Sequence, residues 1–203
     1  MAKPNRPPQH DLREIRRRIL TAVASDDLLV EHLVLKGGNA LELIHRIGER
    51  ASLDLDFSME EDVAGASEIE SRLMRAIKDR LDSMGLVVLD WKFGPRPNTP
   101  QEVGARWGGY RGEFKLVTRE VIRDHGGDPD AQRRLAVELG PEHQRIFQVD
   151  ISRFEFCRGN TSVDVDGYEL KVRVPAQADH RFRSKPITQS GGSRSPIPEQ
   201  ADR

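Results

Sequence analysis

Hydrophobic positions in this chain change period along its length, and each change marks a predicted element. Leu12, Ile15, Ile19, Leu20 and Val23 recur at three- and four-residue steps, which predicts a helix capped by Asp11 and running through LREIRRRILTAVAS. Leu28 to Leu35 is dense in Leu and Val and reads as a helix end followed by a buried strand. Gly37-Gly38 interrupt it, and Asn39 opens a helix through Ile47 with Leu41, Ile44 and Ile47 on its apolar side, stopped at Gly48. From Ser52 to Met59 the period drops to two: Leu53, Leu55 and Phe57 share one face of a strand, and Ser52, Asp54, Asp56 and Ser58 the other.

The strongest helical pattern is residues 66–84, where Ile69, Leu73, Ile77 and Leu81 form a stripe behind a Ser67/Glu70 capping box. Strands are predicted at Leu86–Phe93 and Tyr110–Val117, with a Pro- and Gly-rich loop between them. A helix from Asp128 to Leu139, ended by Gly140-Pro141, leads to an alternating strand at Arg145–Phe156. A short strand at Glu169–Val174 follows the turn Asp166-Gly167. The order implies one α/β (α+β) domain over residues 10–176, a mixed β-sheet flanked by helices. Residues 1–9 are expected to be a flexible tail, and residues 177–203, poor in apolar residues and rich in Ser, Pro, Gly and Arg, a disordered one.

Composition narrows the function classes. A net charge of −1 with 32% charged residues excludes a uniformly basic polynucleotide binder. The local run Arg13, Arg16, Arg17 and Arg18 is either a solvated helix face or a nucleic-acid contact. A single cysteine, Cys157, rules out an internal disulfide and a thiolate zinc cluster. No secretory leader is evident and no run approaches the roughly 20 apolar residues of a membrane span. A cytoplasmic protein that does not engage membranes is the expectation.

Asp54 and Asp56, at i and i+2 on a strand, project from one face with roots about 7 Å apart. That spacing suits two divalent ions roughly 4 Å apart, the arrangement used for in-line phosphoryl or nucleotidyl displacement. Mg2+ prefers such hard carboxylate oxygens. Asp150, flanked by Val149 and Ile151 in a second alternating strand, is the candidate third carboxylate, because an Asp there is costly to bury unless paired or metal-bound. Gly37-Gly38 before a helix N-terminus make a candidate phosphate turn, with Lys36 to neutralise charge and Asn39 to cap or donate. Arg50 and Ser52 lead into the aspartate strand as candidate contacts to a triphosphate or to the metal site.

The stretch LKGGNALELIHRIGERASLDLDFS resembles the opening motif of the AbiEii/AbiGii-type nucleotidyltransferase-like toxins, a branch of the DNA polymerase beta-like superfamily. Gly37, Gly38, Ala40, Leu41, Arg50, Ser52, Asp54, Leu55, Asp56 and Phe57 match its glycine turn and Arg-x-Ser-x-Asp-Leu-Asp-Phe strand; Asn39 stands where the family usually has Thr. The resemblance implies an Mg2+-dependent nucleotidyltransferase that uses NTP, with Asp54, Asp56 and Asp150 as metal ligands. It further implies a toxin of a toxin–antitoxin or phage-defence system, an antitoxin partner, and an RNA (tRNA) or protein acceptor. The family's C-terminal helices have no counterpart after Ala176, so a C-terminally truncated member is expected. Two other readings fit the same residues: a degenerate remnant that binds nucleotide or antitoxin without turnover, and a two-metal nuclease.

Overall fold

The structure, a computed structural model, describes residues 11–45, 54–61, 65–96, 108–139, 143–157 and 159–173. In chain order the elements are α1 (Leu12–Ala24), α2 (Asp27–His32), β1 (Val34–Lys36), α3 (Gly37–His45), β2 (Leu55–Ser58), α4 (Gly65–Asp82), β3 (Leu86–Arg96), β4 (Gly109–Thr118), α5 (Arg119–Asp124), α6 (Pro129–Arg134), β5 (Phe147–Ser152), β6 (Thr161–Val165) and β7 (Tyr168–Val172). The expected tails at 1–9 and 177–203 lie outside the described residues.

All seven strands join one mixed sheet in the order β3-β4-β5-β2-β1-β7-β6. β2 is its central strand, antiparallel to β1 and parallel to β5. Strand alternation then decides which side chains are dry. Leu35, Leu55, Phe57, Phe147, Val149 and Ile151 turn to one face and are at most 2% exposed. They pack there with Ile15 and Ile19 of α1 and with Ile69, Leu73, Ile77 and Leu81 of α4, the stripe that the four-residue spacing predicts. At about 25 cal/mol per Å2 of apolar surface, each such Leu, Ile or Phe contributes roughly 1.5–3 kcal/mol. The opposite face carries Lys36, Asp56, Asp150, Ser152 and Arg111, all half-buried.

The mixed α/β sheet expected from the sequence is the observed fold, with differences of detail that have local causes. The third helix begins at Gly37, two residues before Asn39, and Leu41 on its predicted apolar side is 36% exposed. Asp11 caps α1 as expected, accepting from Arg13 N at 2.9 Å. The helix expected to reach Leu139 stops at Arg134, because the Val137 N–H donates to the Leu116 carbonyl at the edge of β4 instead. The strand expected to reach Phe156 ends at Ser152, and Phe154 turns into the left-handed region at φ 57°. Helix α5 and strand β6 have no counterpart in the hydrophobic pattern.

The arginine run on α1 is mostly committed. Arg16 is 5% exposed, bonds the Asn39 Oδ1 at 3.1 Å and pairs with Glu42 at 3.5 Å. Arg17 and Arg18 both pair with Asp166, whose second oxygen accepts from buried Thr21 at 2.7 Å. These residues hold α1 to the β6–β7 turn, which weakens the reading of the run as a polynucleotide contact.

Candidate active site

The polar face of the sheet is built by register. Lys36 on β1 stands opposite Asp56 on β2, Asp56 opposite Asp150 on β5, and Asp150 opposite Arg111 on β4. A single row across these strands therefore reads cation, carboxylate, carboxylate, cation. Asp54 sits one residue before β2, with its carbonyl accepting from the Asn39 side-chain amide at 2.7 Å. Two of the predicted carboxylates, Asp56 and Asp150, are thus neighbours in the sheet, and Asp54 lies two residues before Asp56 in the chain.

Asp56 is the electrostatic centre of the row. Burial pushes its carboxyl above the ordinary 3.8, and the facing Asp150 pushes it further; Lys36 opposes the shift and Asp54 adds to it. Among the described residues, the Asp56 carboxylate forms no hydrogen bond and no ion pair. Asp150 differs: the Arg111 guanidinium binds both its oxygens, Nε to Oδ1 at 2.7 Å and Nη2 to Oδ2 at 2.6 Å, and Arg96 approaches at 3.5 Å. This fork-to-fork geometry is the strong form of an Arg–carboxylate pair.

The glycine turn presses against the same carboxylate. Gly37 has φ +72°, and a Cβ there would lie 3.0 Å from Asp56 Oδ2. A side chain at this position would be strained and would crowd Asp56, so the glycine lets the start of α3 approach it. The predicted strand–glycine–helix junction and the aspartate strand therefore meet at one point, through the antiparallel pairing of β1 with β2. Asn39 does not face that point: it is 3% exposed and its amide bridges Arg16 to the Asp54 carbonyl. Gly38 is exposed at the helix start. Arg50 and Ser52 lie outside the described residues.

Sequence reading missed a second cluster beside the row. Lys36 Nζ donates to Ser152 Oγ at 2.8 Å and to both Glu155 oxygens at 2.8 and 2.7 Å. Ser58 Oγ also donates to Glu155. Burial raises the Glu155 pKa, but the hydrogen bonds from Lys36, Ser58 and Ser152 outweigh it and bring it below the ordinary 4.5. Glu155 lies beyond the end of β5, where periodicity carries no signal; only the recurrence of Ser58 and Ser152 on the aspartates' face hinted at a polar network. Asp56, Asp150, Arg111, Ser152 and Glu155 line one cleft of about 450 Å3, with Tyr110, Arg153 and Phe154 on its wall.

Among the described residues, no three His, Cys, Asp or Glu side chains converge to hold a metal ion. Cys157 is buried, and burial pushes its thiol up, so it is not an activated nucleophile. No described helix is long and apolar enough to cross a membrane. No curated protein and no solved structure matches the chain. A family model does: that of the nucleotidyl transferase AbiEii toxin, type IV toxin–antitoxin system, matches residues 18–155. That span holds the glycine turn, the carboxylate row and Glu155, and on it the chain belongs to the AbiEii nucleotidyltransferase toxin family.

Proposed function

We propose that the chain transfers a nucleotide from an NTP to a hydroxyl of an RNA acceptor, forming the O–Pα bond as pyrophosphate leaves, and that the row centred on Asp56 is where it does so. The observation that carries the reading is the approach of the Gly37 turn to Asp56, beside Asp150. A phosphate at the start of α3 would meet helix N–H groups on one side and these carboxylates on the other. Membership of the AbiEii family supports the toxin role and, with it, a cognate antitoxin partner.

The residues suit Mg2+ in their donor chemistry. Asp54 and Asp56 offer hard oxygens, and the Asp56 carboxylate, half-buried and facing Asp150, has no hydrogen bond or ion pair among the described residues. Asp150 would join them as third ligand on exchanging Arg111 for the ion. When bound, Mg2+ supplies Lewis-acid stabilisation of charge at the attacking and leaving oxygens. The chain's own groups do the rest. Lys36, fixed by Glu155 and Ser152, keeps a cation beside the phosphates. Arg111, once released from Asp150, adds a second.

The test is NTP-dependent labelling of RNA by purified protein, with growth on expression as a cellular readout. Asp54→Ala and Asp56→Ala are expected to abolish both labelling and growth arrest while the protein stays folded. Full toxicity in the double variant would refute the assignment. RNA cleavage with metal and without NTP would point to a nuclease instead, and NTP binding without transfer to a degenerate remnant.

A further inference from the structure

Just beyond β5 the chain displays two aromatic rings that the core does not use. Phe154 is 44% and Phe156 59% exposed. Each is backed by a guanidinium: Arg153 lies 5.5 Å from the Phe154 ring centre, and Arg173 5.4 Å from that of Phe156. Arg153 also stacks over Tyr110 at 5.0 Å, so one side chain bridges a cleft-wall ring and an exposed ring. Phe154 is held at φ 57°, a conformation disfavoured for a bulky side chain. Strain of this kind persists where the surroundings fix it, and it tends to gather at ligand clamps.

Position gives the pair its meaning. Phe154 and Arg153 share the cleft with Asp56, Asp150 and Arg111. Phe156 continues outward from Glu155 toward Arg173, which follows β7; its carbonyl accepts from the Arg173 guanidinium. Exposed aromatics interleaved with arginines, running into a cleft that ends at carboxylates, match what an unpaired polynucleotide end requires. Bases stack on ring faces, and guanidiniums meet the phosphates. A duplex, whose bases face inward, has nothing to lay on these rings.

We propose that Phe154 and Phe156, with Arg153 and Arg173, form a stacking platform that binds the single-stranded end of the RNA acceptor and leads its terminal hydroxyl to Asp56. The proposal rests on the RNA-acceptor reading above and adds the site that holds the acceptor.

Fluorescence anisotropy with a short single-stranded RNA, in the absence of NTP, separates the two. Phe154→Ala and Phe156→Ala are each expected to weaken binding by about tenfold, and Trp at either position to restore it. Binding should fall steeply with salt and be far weaker for a blunt RNA duplex. Alanine variants that bind as wild type does, or a duplex bound as tightly, would overturn the platform. So would self-association of the protein lost in these variants with RNA affinity unchanged. A wild-type protein that binds the RNA as expected, with binding weakened in the alanine variants, but labels none would count against the transfer reading alone, since binding needs no chemistry.

Discussion

Replacing Gly37 by alanine tests the meeting of turn and carboxylate, and the chain contains its own control. Gly37 and Gly85 share φ +72°, so alanine meets the same backbone strain at both, about 1–2 kcal/mol for a left-handed L-residue. Only their surroundings differ. At Gly85 nothing lies within 4 Å of the added Cβ, whereas at Gly37 it would meet Asp56 Oδ2 at 3.0 Å. That oxygen is the far end of a short side chain and can give way by a few tenths of an ångström, so the contact adds little to the stability cost. Both variants should therefore lose about 1–2 kcal/mol in urea unfolding, or roughly 2–8 °C in Tm for a chain of this size. On the proposed role of Asp56, displacing its carboxylate has a different consequence, because misplacement of about 1 Å in an active site costs on the order of 100-fold in rate. Gly37→Ala should thus slow RNA labelling about tenfold or more, and Gly85→Ala should leave it near wild type once folding is matched. Equal labelling by the two variants would refute the claim that the turn positions Asp56.

Asn39→Ala strips a bond from the buried Arg16 guanidinium and a donor from the Asp54 carbonyl; a loss of about 2–3 kcal/mol in urea unfolding is expected. A double-mutant cycle with Arg111→Ala and Asp150→Ala should give a coupling of about 1–2 kcal/mol, and near-zero coupling would show that the pair does not form in solution. Glu155, with its pKa lowered, stabilises the fold above the ordinary 4.5, and this share is lost as pH falls through the folded value. The stability gap between wild type and Glu155→Gln should accordingly be widest at neutral pH and close on acidification, and a gap independent of pH would contradict the network.

Legibility in the sequence followed the range of the interactions. Helix α4 was readable because one helix face supplies Ile69, Leu73, Ile77 and Leu81 to the core, a local pattern. β2 and β5 were readable because each is dry on one side and polar on the other. β6 was not: of its residues only Val165 is buried, and its form comes from pairing with β7 at the sheet edge. Helix α5 buries nothing, and its start is fixed by the Thr118 hydroxyl bonding the Val121 N–H. Of the candidate site, Asp56 and Asp150 could be placed on one face from strand alternation. Their cations could not, since the Arg111–Asp150 pair depends on a β4–β5 register that joins distant segments. The same holds for the tie between Lys36 and Glu155, far apart in sequence and joined by two short bonds.

The sheet order bears on when a newly made chain becomes dangerous to its host. The central strand β2 leaves the ribosome early, but its parallel neighbour β5 is translated only after α4, β3, β4, α5 and α6. β1 must wait still longer for β7, which it meets at Leu35 and Val172. A nascent chain that has not yet delivered Phe147–Ser152 holds Asp54 and Asp56 without Asp150, and with one side of β2 unpaired. Non-local pairing of this kind is slow to form. On the proposed assignment of Asp150, a chain could not become competent before β5 is made and paired, which leaves that interval for a cognate antitoxin to accumulate.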